Sequence, residues 1–149
     1  SMIANVTWYL GGYSSNSATA EAFYGYERGT TVYSGRPTTT IGYIGLIYPS
    51  DYGYSVLSSS CARTIDLSSY SRTTCAGASW LYGKGYEWTL TPVSSYSNDV
   101  FTLTSVGHLN HVASSASNGN VVRPVLYLDA SVYKIEGEGT LDKPYIIGM

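Results

Sequence analysis

Charge is scarce in this sequence, and its scarcity excludes several classes of partner. Only 12% of the 149 residues are charged, with eight Lys or Arg against ten Asp or Glu, and the formal net charge is −2. Binding to nucleic acid or to an anionic membrane surface depends on clustered Lys and Arg. We therefore expect no nucleic-acid partner, and we expect membrane attachment only through an anchor segment missing from this sequence.

Long hydrophobic runs are also missing. The opening residues, SMIANVTW, have neither the basic start nor the apolar stretch of a secretory signal. Ser1-Met2 is typical of an expression remnant, so we interpret the chain as a piece of a longer exported protein. A chain of this length buries roughly 68–70% of its unfolded surface in one core, which predicts a single domain over residues 1–149.

Cysteine is limited to Cys61 and Cys75, in CARTIDLSSYSRTTC. A bridge between them would close a short loop, worth about 3 kcal/mol in the chain-entropy description. Two free buried thiols and half of a metal site are the alternatives. The two His residues lie far along the chain, so a zinc site has little support. We favour a disulfide, an oxidising extracellular location, and no metal or other cofactor.

Polar character comes instead from hydroxyl and amide side chains and from 16 Tyr. Tyrosine supplies large contact area at low entropic cost, and Ser and Asn supply adaptable hydrogen bonds. This composition is typical of binding surfaces. It favours recognition by shape and hydrogen bonding over recognition by charge.

The first half of the chain predicts short helices between strands and turns. In SNSATAEAFYGYERG, Ser17 is a candidate helix cap and Gly29 a stop signal. CAGASWLYG predicts a second short helix that ends at Gly83. Between them, IGYIGLIY predicts a buried strand and PSDYGY a turn.

The second half predicts antiparallel strands joined by long loops. DVFTLT and HLNHV alternate around a turn at SVG, with Phe101, Leu103 and Leu109 on one side and the polar residues on the other. VVRPVLYL predicts a rigid strand, and VYKIEGEGTLDKPYIIG predicts a closing hairpin. Two short helices and a mainly antiparallel sheet make the predicted class α+β.

The order of these segments resembles a known family. The segments that carry this resemblance are YIGLIYPSDYGY, the paired Cys before WLY, WTLTP, VRPVLYLDASV, and GEGT before KPYII. The chain resembles bacterial surface proteins, largely of gut Firmicutes, that often carry a prepilin-type N-terminal segment. Their C-terminal domain is C-type-lectin-like and resembles the variable proteins of diversity-generating retroelements. The resemblance runs from about Tyr24 to Ile147 and implies a C-type-lectin-like fold.

The resemblance also implies a division between fixed and variable positions. The fixed positions would be Trp88, Pro92, Val100, Phe101, Leu103, Gly107, Leu109, Val122, Arg123, Pro124 and Leu126. The variable positions would form a ligand-binding face around residues 93–120: Tyr96, Asn98, Thr102, Thr104, Ser105, His108, Asn110, His111, Ser114, Ser115, Ser117, Asn118 and Asn120. Each variable residue is of a type that adenine mutation of an Asn or Tyr codon produces.

The remaining chemistry-bearing residues suggest no catalytic site. His108 and His111 have a spacing that shares a metal on a helix, but on a strand they point to opposite faces. Only Ser97-Asn98-Asp99 is similar to a calcium-lectin strand, and its partner loop is missing. Arg123 lies in an apolar strand and needs a partner, so we predict a structural ion pair or carbonyl contacts.

These observations predict a non-catalytic, adhesin-like head domain of an exported bacterial surface or pilin-like protein. Its partner would be a protein or glycan on a host, bacterial or phage surface. A structural pilin-like subunit or cap is the first alternative. An enzyme related to the formylglycine-generating enzymes is the second, and it would need accessible, reactive cysteines.

Overall fold

The computed structural model describes residues 1–83, 85–114 and 119–149, and its class is α+β. The helices are α1 Ala20–Glu27, α2 Pro49–Tyr54 and α3 Ser59–Thr64, followed by 3₁₀ turns at Leu67–Ser69 and Ala76–Ala78. The strands are β1 Val6–Tyr9, β2 Thr39–Gly42, β3 Ile44–Leu46, β4 Glu87–Pro92, β5 Asp99–Leu103, β6 Leu109–Ala113, β7 Pro124–Leu126, β8 Tyr133–Glu136 and β9 Ile146–Gly148. Within the described ranges these strands pair antiparallel as β1–β2, β3–β7, β4–β5–β6 and β8–β9.

Helix α1 lies where the sequence predicts a helix, but its cap is different. Thr19, not Ser17, accepts a hydrogen bond from the Ala22 amide at 3.2 Å. This bond satisfies one of the amides that a helix start leaves without a partner. Gly29 follows the helix, and its amide donates to the Tyr26 carbonyl at 3.0 Å.

The prediction of a turn at PSDYGY was wrong, because this segment is helix α2. Pro49 occupies the first helical position, where its missing N–H costs nothing. The Asp51 carboxylate accepts from the Tyr48 amide at 3.0 Å and secures the helix start. The predicted helix at CAGASWLYG is only the 3₁₀ turn Ala76–Ala78. Gly77 lies so close to the Arg72 carbonyl that a side chain there would collide with it.

The predicted disulfide is confirmed. Cys61, in α3, is joined to Cys75 across a Cα–Cα distance of 5.7 Å, and both residues are buried. The bridge fastens α3 to the segment that leads into the Ala76–Ala78 turn, in a loop-rich part of the chain. It therefore constrains a region with little regular hydrogen bonding of its own.

We expect the native chain to show no reactive thiol. Because the two sulfurs are bonded to each other and buried, a thiol reagent should label nothing before reduction. The same titration after reduction in denaturant should find both cysteines, which serves as the control. Labelling of either cysteine in the unreduced native chain would contradict the prediction.

Strand β5 is the centre of the three-stranded sheet, and its two faces differ. The inner face carries Phe101, Leu103 and Leu109, all buried, as the alternation predicts. Phe101 meets Phe23 of α1 edge to face, with ring centroids 5.1 Å apart. The core therefore lies between this sheet and the helices.

The turn between β5 and β6 is held at several points. Gly107 has φ +98°, which other residues rarely adopt, and a Cβ there would lie 2.3 Å from that of Ala76. Its carbonyl accepts from the Tyr52 hydroxyl at 2.6 Å. The Ser105 carbonyl accepts from the Tyr82 hydroxyl at 2.7 Å and from Arg72 at 3.3 Å. These contacts hold the hairpin rigidly against the core.

Two segments predicted as buried or rigid strands are more exposed than expected. IGYIGLIY and VVRPVLYL meet as the β3–β7 pair, but Ile44 is 59% and Leu126 41% exposed. This two-stranded sheet is covered on the face where Gly45 packs against the Trp8 ring. Burial returns only after β3, at Ile47 and Tyr48.

The predicted closing hairpin is present as β8–β9. Gly137 and Gly139 both have positive φ, which suits the connection between the strands. Its large apolar side chains, including Tyr133, Ile135 and Tyr145, are exposed. In the described part of the chain, no helix has the length and apolar character needed to cross a membrane.

Candidate ligand-binding face

The outer face of the β4–β5–β6 sheet is the surface opposite the core. Pairing across the strands brings Trp88, Thr102 and Asn110 into one row, and Pro92, Val100 and Val112 into the next. Directly opposed residues of antiparallel strands share a face. The alternation predicted correctly that Thr102 and Asn110 lie on the same side.

The structure distributes the predicted ligand-binding residues over both ends of the β5–β6 hairpin. The first and last of the five residues of β5 are roughly 13 Å apart at about 3.3 Å per residue, so one small ligand cannot contact all of the predicted residues. Tyr96, Asn98 and Ser114 lie at the end where β5 begins, Ser105 and His108 at the turn, Asn110 and His111 on β6, and Asn120 beyond it. Ser115, Ser117 and Asn118 lie outside the described residues.

Two of the predicted contact residues, Thr102 and Thr104, are buried. The Thr104 hydroxyl donates to the His108 carbonyl at 3.1 Å, inside the turn. Alternation assigns a residue to a face of the sheet but does not make that face solvent-exposed. Neither side chain is available at the surface of this domain, so we remove both from the contact set.

Tyr96, Asp99 and His111 form a cluster near the start of β5. The Asp99 carboxylate lies 2.9 Å from the His111 ring nitrogen Nδ1, and the Tyr96 ring stacks on the imidazole at 5.9 Å between centroids. The strand begins only at Leu109, so His111 lies on β6 opposite Phe101, whereas His108 lies in the turn before it. Among the described residues, no group of three or more His, Cys, Asp or Glu is placed to hold a metal ion.

A cleft opens on the outer face beside Asn110. We name it the Tyr86 cleft; its volume is about 640 Å³, and the residues that line it are Gly85, Tyr86, Asn110, Val112, Gly119, Asn120 and Val121. The Tyr86 ring is 51% exposed. Backbone hydrogen bonds fix the segment that contains Tyr86 against the segment that contains Val121. The Val121 amide donates to the Tyr86 carbonyl at 2.7 Å, and the Trp88 backbone amide donates to the Val121 carbonyl at 3.1 Å.

No match was found among family models, curated proteins or solved structures.

Sequence reasoning identified Asn110 and Asn120 but missed Tyr86. The reason is a parallel bridge between Glu87 and Val121, residues far apart in the chain. This bridge carries Tyr86 to the segment that contains Asn120. No local pattern in the sequence signals such a contact.

Arg123 forms the structural ion pair that the sequence predicts. Its guanidinium lies 3.0 Å from the Glu87 carboxylate, which is 3% exposed. Burial raises the pKa of Glu87, and Arg123 offsets part of that rise. Among the described residues, the second carboxylate oxygen has no hydrogen-bond partner, so the pair stabilises the sheet margin at an electrostatic cost.

Glu27 is a buried acid that sequence reasoning missed. Its side chain is fully buried, and burial raises its pKa to about 7. The Ser50 amide donates to the carboxylate at 2.9 Å, the Ser50 hydroxyl donates to its other oxygen, and Arg28 lies 3.2 Å away. Glu27 thus links the end of α1 to the start of α2 and serves the fold.

Proposed function

We propose that this chain is a non-catalytic ligand-binding domain, displayed by an exported bacterial surface or pilin-like protein. Its binding surface is the outer face of the β4–β5–β6 sheet with the Tyr86 cleft. The observation that carries the proposal is this cleft, in which an exposed tyrosine and two asparagines converge on a rigidly held sheet. Concave sites with few convergent polar groups are the usual form of ligand sites.

The arrangement of the sheet supports replaceable side chains on a fixed backbone. The hairpin is anchored through Gly107 and Ser105, while Asn110 and Tyr96 are exposed. Exposed residues on such a scaffold change at little cost in stability. We extend the proposal to a C-type-lectin-like fold and to diversification of the face around residues 93–120, both implied by the family resemblance.

The chemistry of the cysteines supports a role without catalysis. An enzyme related to the formylglycine-generating enzymes needs accessible, reactive thiols, whereas Cys61 and Cys75 are joined and buried. The disulfide also supports an extracellular location. The partner we propose is a protein or glycan on a host, bacterial or phage surface.

Binding of the labelled chain to cells tests the proposal. We expect the 149-residue chain to bind at least one cell type in a panel of bacterial and animal cells. Tyr86→Ala combined with Asn110→Ala should weaken that binding by at least roughly tenfold, because exposed aromatic anchors carry much of a binding energy. Tyr43→Ala is the matched control, since Tyr43 is 52% exposed but lies outside the face. Equal loss in both variants would contradict the assignment of the face.

We also expect this binding to be independent of metal and nearly independent of salt. The described residues that line the cleft carry no charge, so EDTA should leave the affinity unchanged. Between low and physiological salt the affinity should vary by less than about threefold, because screening acts on charges. Loss of binding in EDTA would contradict the metal-independent account.

The exposed hairpin β8–β9 favours a second candidate function, that of a structural pilin-like subunit. Tyr133, Ile135, Tyr145 and Ile146 are apolar and largely exposed, and exposed apolar patches mark interaction surfaces. If this function holds, the chain should associate at high concentration, and Ile135→Ser should weaken the association. A monomer at every concentration in sedimentation would contradict it.

A further inference from the structure

We propose that the Tyr86 cleft is a binding site for a neutral saccharide, which it takes without a metal ion. This inference rests on the proposed function and names the class of ligand for part of its surface. The sugar ring would lie against Tyr86 and the valines, and its hydroxyls would bond the amides of Asn110 and Asn120.

The first support is the apolar part of the cleft. The Tyr86 ring is half-exposed, and Val112 and Val121 present further apolar surface beside it. A pyranose has a face of C–H groups that packs on such a surface, and an aromatic ring adds contact area at low entropic cost. A ligand without an apolar face would leave this part of the cleft unfilled.

The second support is the pair of side-chain amides that line the cleft. Asn110 projects from β6, and Asn120 belongs to the segment that meets β4. Each amide offers donors and an acceptor. A hydroxyl group also donates and accepts, so neighbouring sugar hydroxyls match an amide at both of its ends.

The third support is unpaired hydrogen-bonding capacity at the cleft. Within the part of the chain that the structure describes, the Asn120 side-chain nitrogen Nδ2 is buried without a hydrogen-bond partner. A buried polar atom is normally bonded, so this nitrogen favours a polar ligand or a water that the ligand retains.

The fourth support is that the described lining of the cleft is uncharged, which favours neutral polar ligands over charged ones. The described lining residues include no Lys, Arg, His, Asp or Glu. A phosphate, sulfate or carboxylate group would lose its hydration without gaining a counter-charge from these described residues. The volume of about 640 Å³ falls within the usual range for small-molecule sites, roughly 300–1,000 Å³. A neutral ligand with an apolar face and many hydroxyls is a saccharide.

Saturation-transfer NMR on the whole 149-residue chain tests the site. The probes are the methyl glycosides of glucose, galactose, mannose, fucose and N-acetylglucosamine at millimolar concentration, with methyl glucuronide and glucose 6-phosphate as charged probes. We expect transfer to at least one neutral glycoside, unchanged by EDTA, and much weaker transfer to the charged probes.

Variants separate a site from non-specific contact. Tyr86→Ala and Asn110→Ala should each lower the affinity for the neutral glycoside by roughly tenfold. Tyr43→Ala and Asn5→Ala are the matched controls, because both residues are exposed outside the cleft, and they should change nothing. An amide fingerprint spectrum of each variant checks that the fold is retained.

Three results would overturn the saccharide site: no transfer to any neutral glycoside, transfer that survives Tyr86→Ala and Asn110→Ala, or preference for the charged probes. If the glycosides fail but protease-sensitive cell binding still depends on Tyr86, the ligand is a protein and the proposed function stands. If cell binding fails as well, both proposals are wrong.

Discussion

Replacing Glu27 with Gln should remove about 3 kcal/mol of pH dependence from the free energy of unfolding. The side chain is fully buried, and its pKa in the folded chain is about 7, against 4.5 for an ordinary glutamate. Each pKa unit corresponds to about 1.36 kcal/mol. The effect is large because it is a sizeable share of the about 5–15 kcal/mol that stabilises a typical domain.

The direction follows from proton binding. Between pH 4.5 and about 7 the folded chain holds a proton on Glu27 that the unfolded chain has released. Stability from this group is therefore complete below the ordinary pKa and is lost as the pH rises through the folded pKa. We expect the wild-type chain to lose stability relative to Glu27→Gln as the pH increases from about 4.5 to about 8.

Glutamine suits the site because it can keep both hydrogen bonds. Its carbonyl can accept from the Ser50 amide, and its amide group can donate to the Ser50 hydroxyl, which then accepts. Urea unfolding at a series of pH values measures the difference between the two chains. Taking this difference cancels other titrating groups, among them Glu87, whose pKa is also raised.

Glu21→Gln provides the matched control for this series. Glu21 lies on the same helix but is exposed in its first turn. Its replacement should change stability by less than about 0.5 kcal/mol at any pH, the usual size of a surface substitution. A wild-type chain whose stability parallels that of Glu27→Gln at every pH would show that Glu27 stays ionised in the fold.

Local signals were sufficient to predict several elements of the fold. Helix α1 has a cap residue before it and Gly29 after it, and both act within a few residues. The β5–β6 hairpin was predictable because alternation and Gly107 are also local. Helix α2 was not predictable from local signals, since the sequence Pro-Ser-Asp begins turns and helices alike. The buried role of Glu27 was not predictable either, because the Ser50 amide that donates to its carboxylate is 23 residues away in the sequence.

The candidate site was predictable only in part, for a similar reason. Asn110 follows from alternation along β6, because its face is set by its neighbours. Thr102 follows the same rule but is buried, and the rule has no means of showing that. Tyr86 reaches the cleft through the bridge between Glu87 and Val121. Contacts of this kind decide which polar residues converge, and they depend on the whole fold.

Arg123→Met should destabilise the domain by about 4 kcal/mol at neutral pH, because it leaves the buried Glu87 carboxylate without its counter-charge. Breaking a buried pair by removing one partner costs about 3–5 kcal/mol. The loss should shrink as the pH falls, since a protonated Glu87 needs no counter-charge. Chemical denaturation of the variant and the wild type at neutral and acidic pH measures both effects.

The double variant Glu87→Gln/Arg123→Met separates lost charge balance from lost packing. If the uncompensated carboxylate causes the damage, the double variant should recover most of the stability at neutral pH and lose the pH dependence. Arg63→Met is the control, because Arg63 is exposed on α3, and it should change stability by less than about 0.5 kcal/mol. A double variant as unstable as Arg123→Met alone would mean that the Arg123 side chain acts through its packing beside Gly83, and that Glu87 does not depend on it.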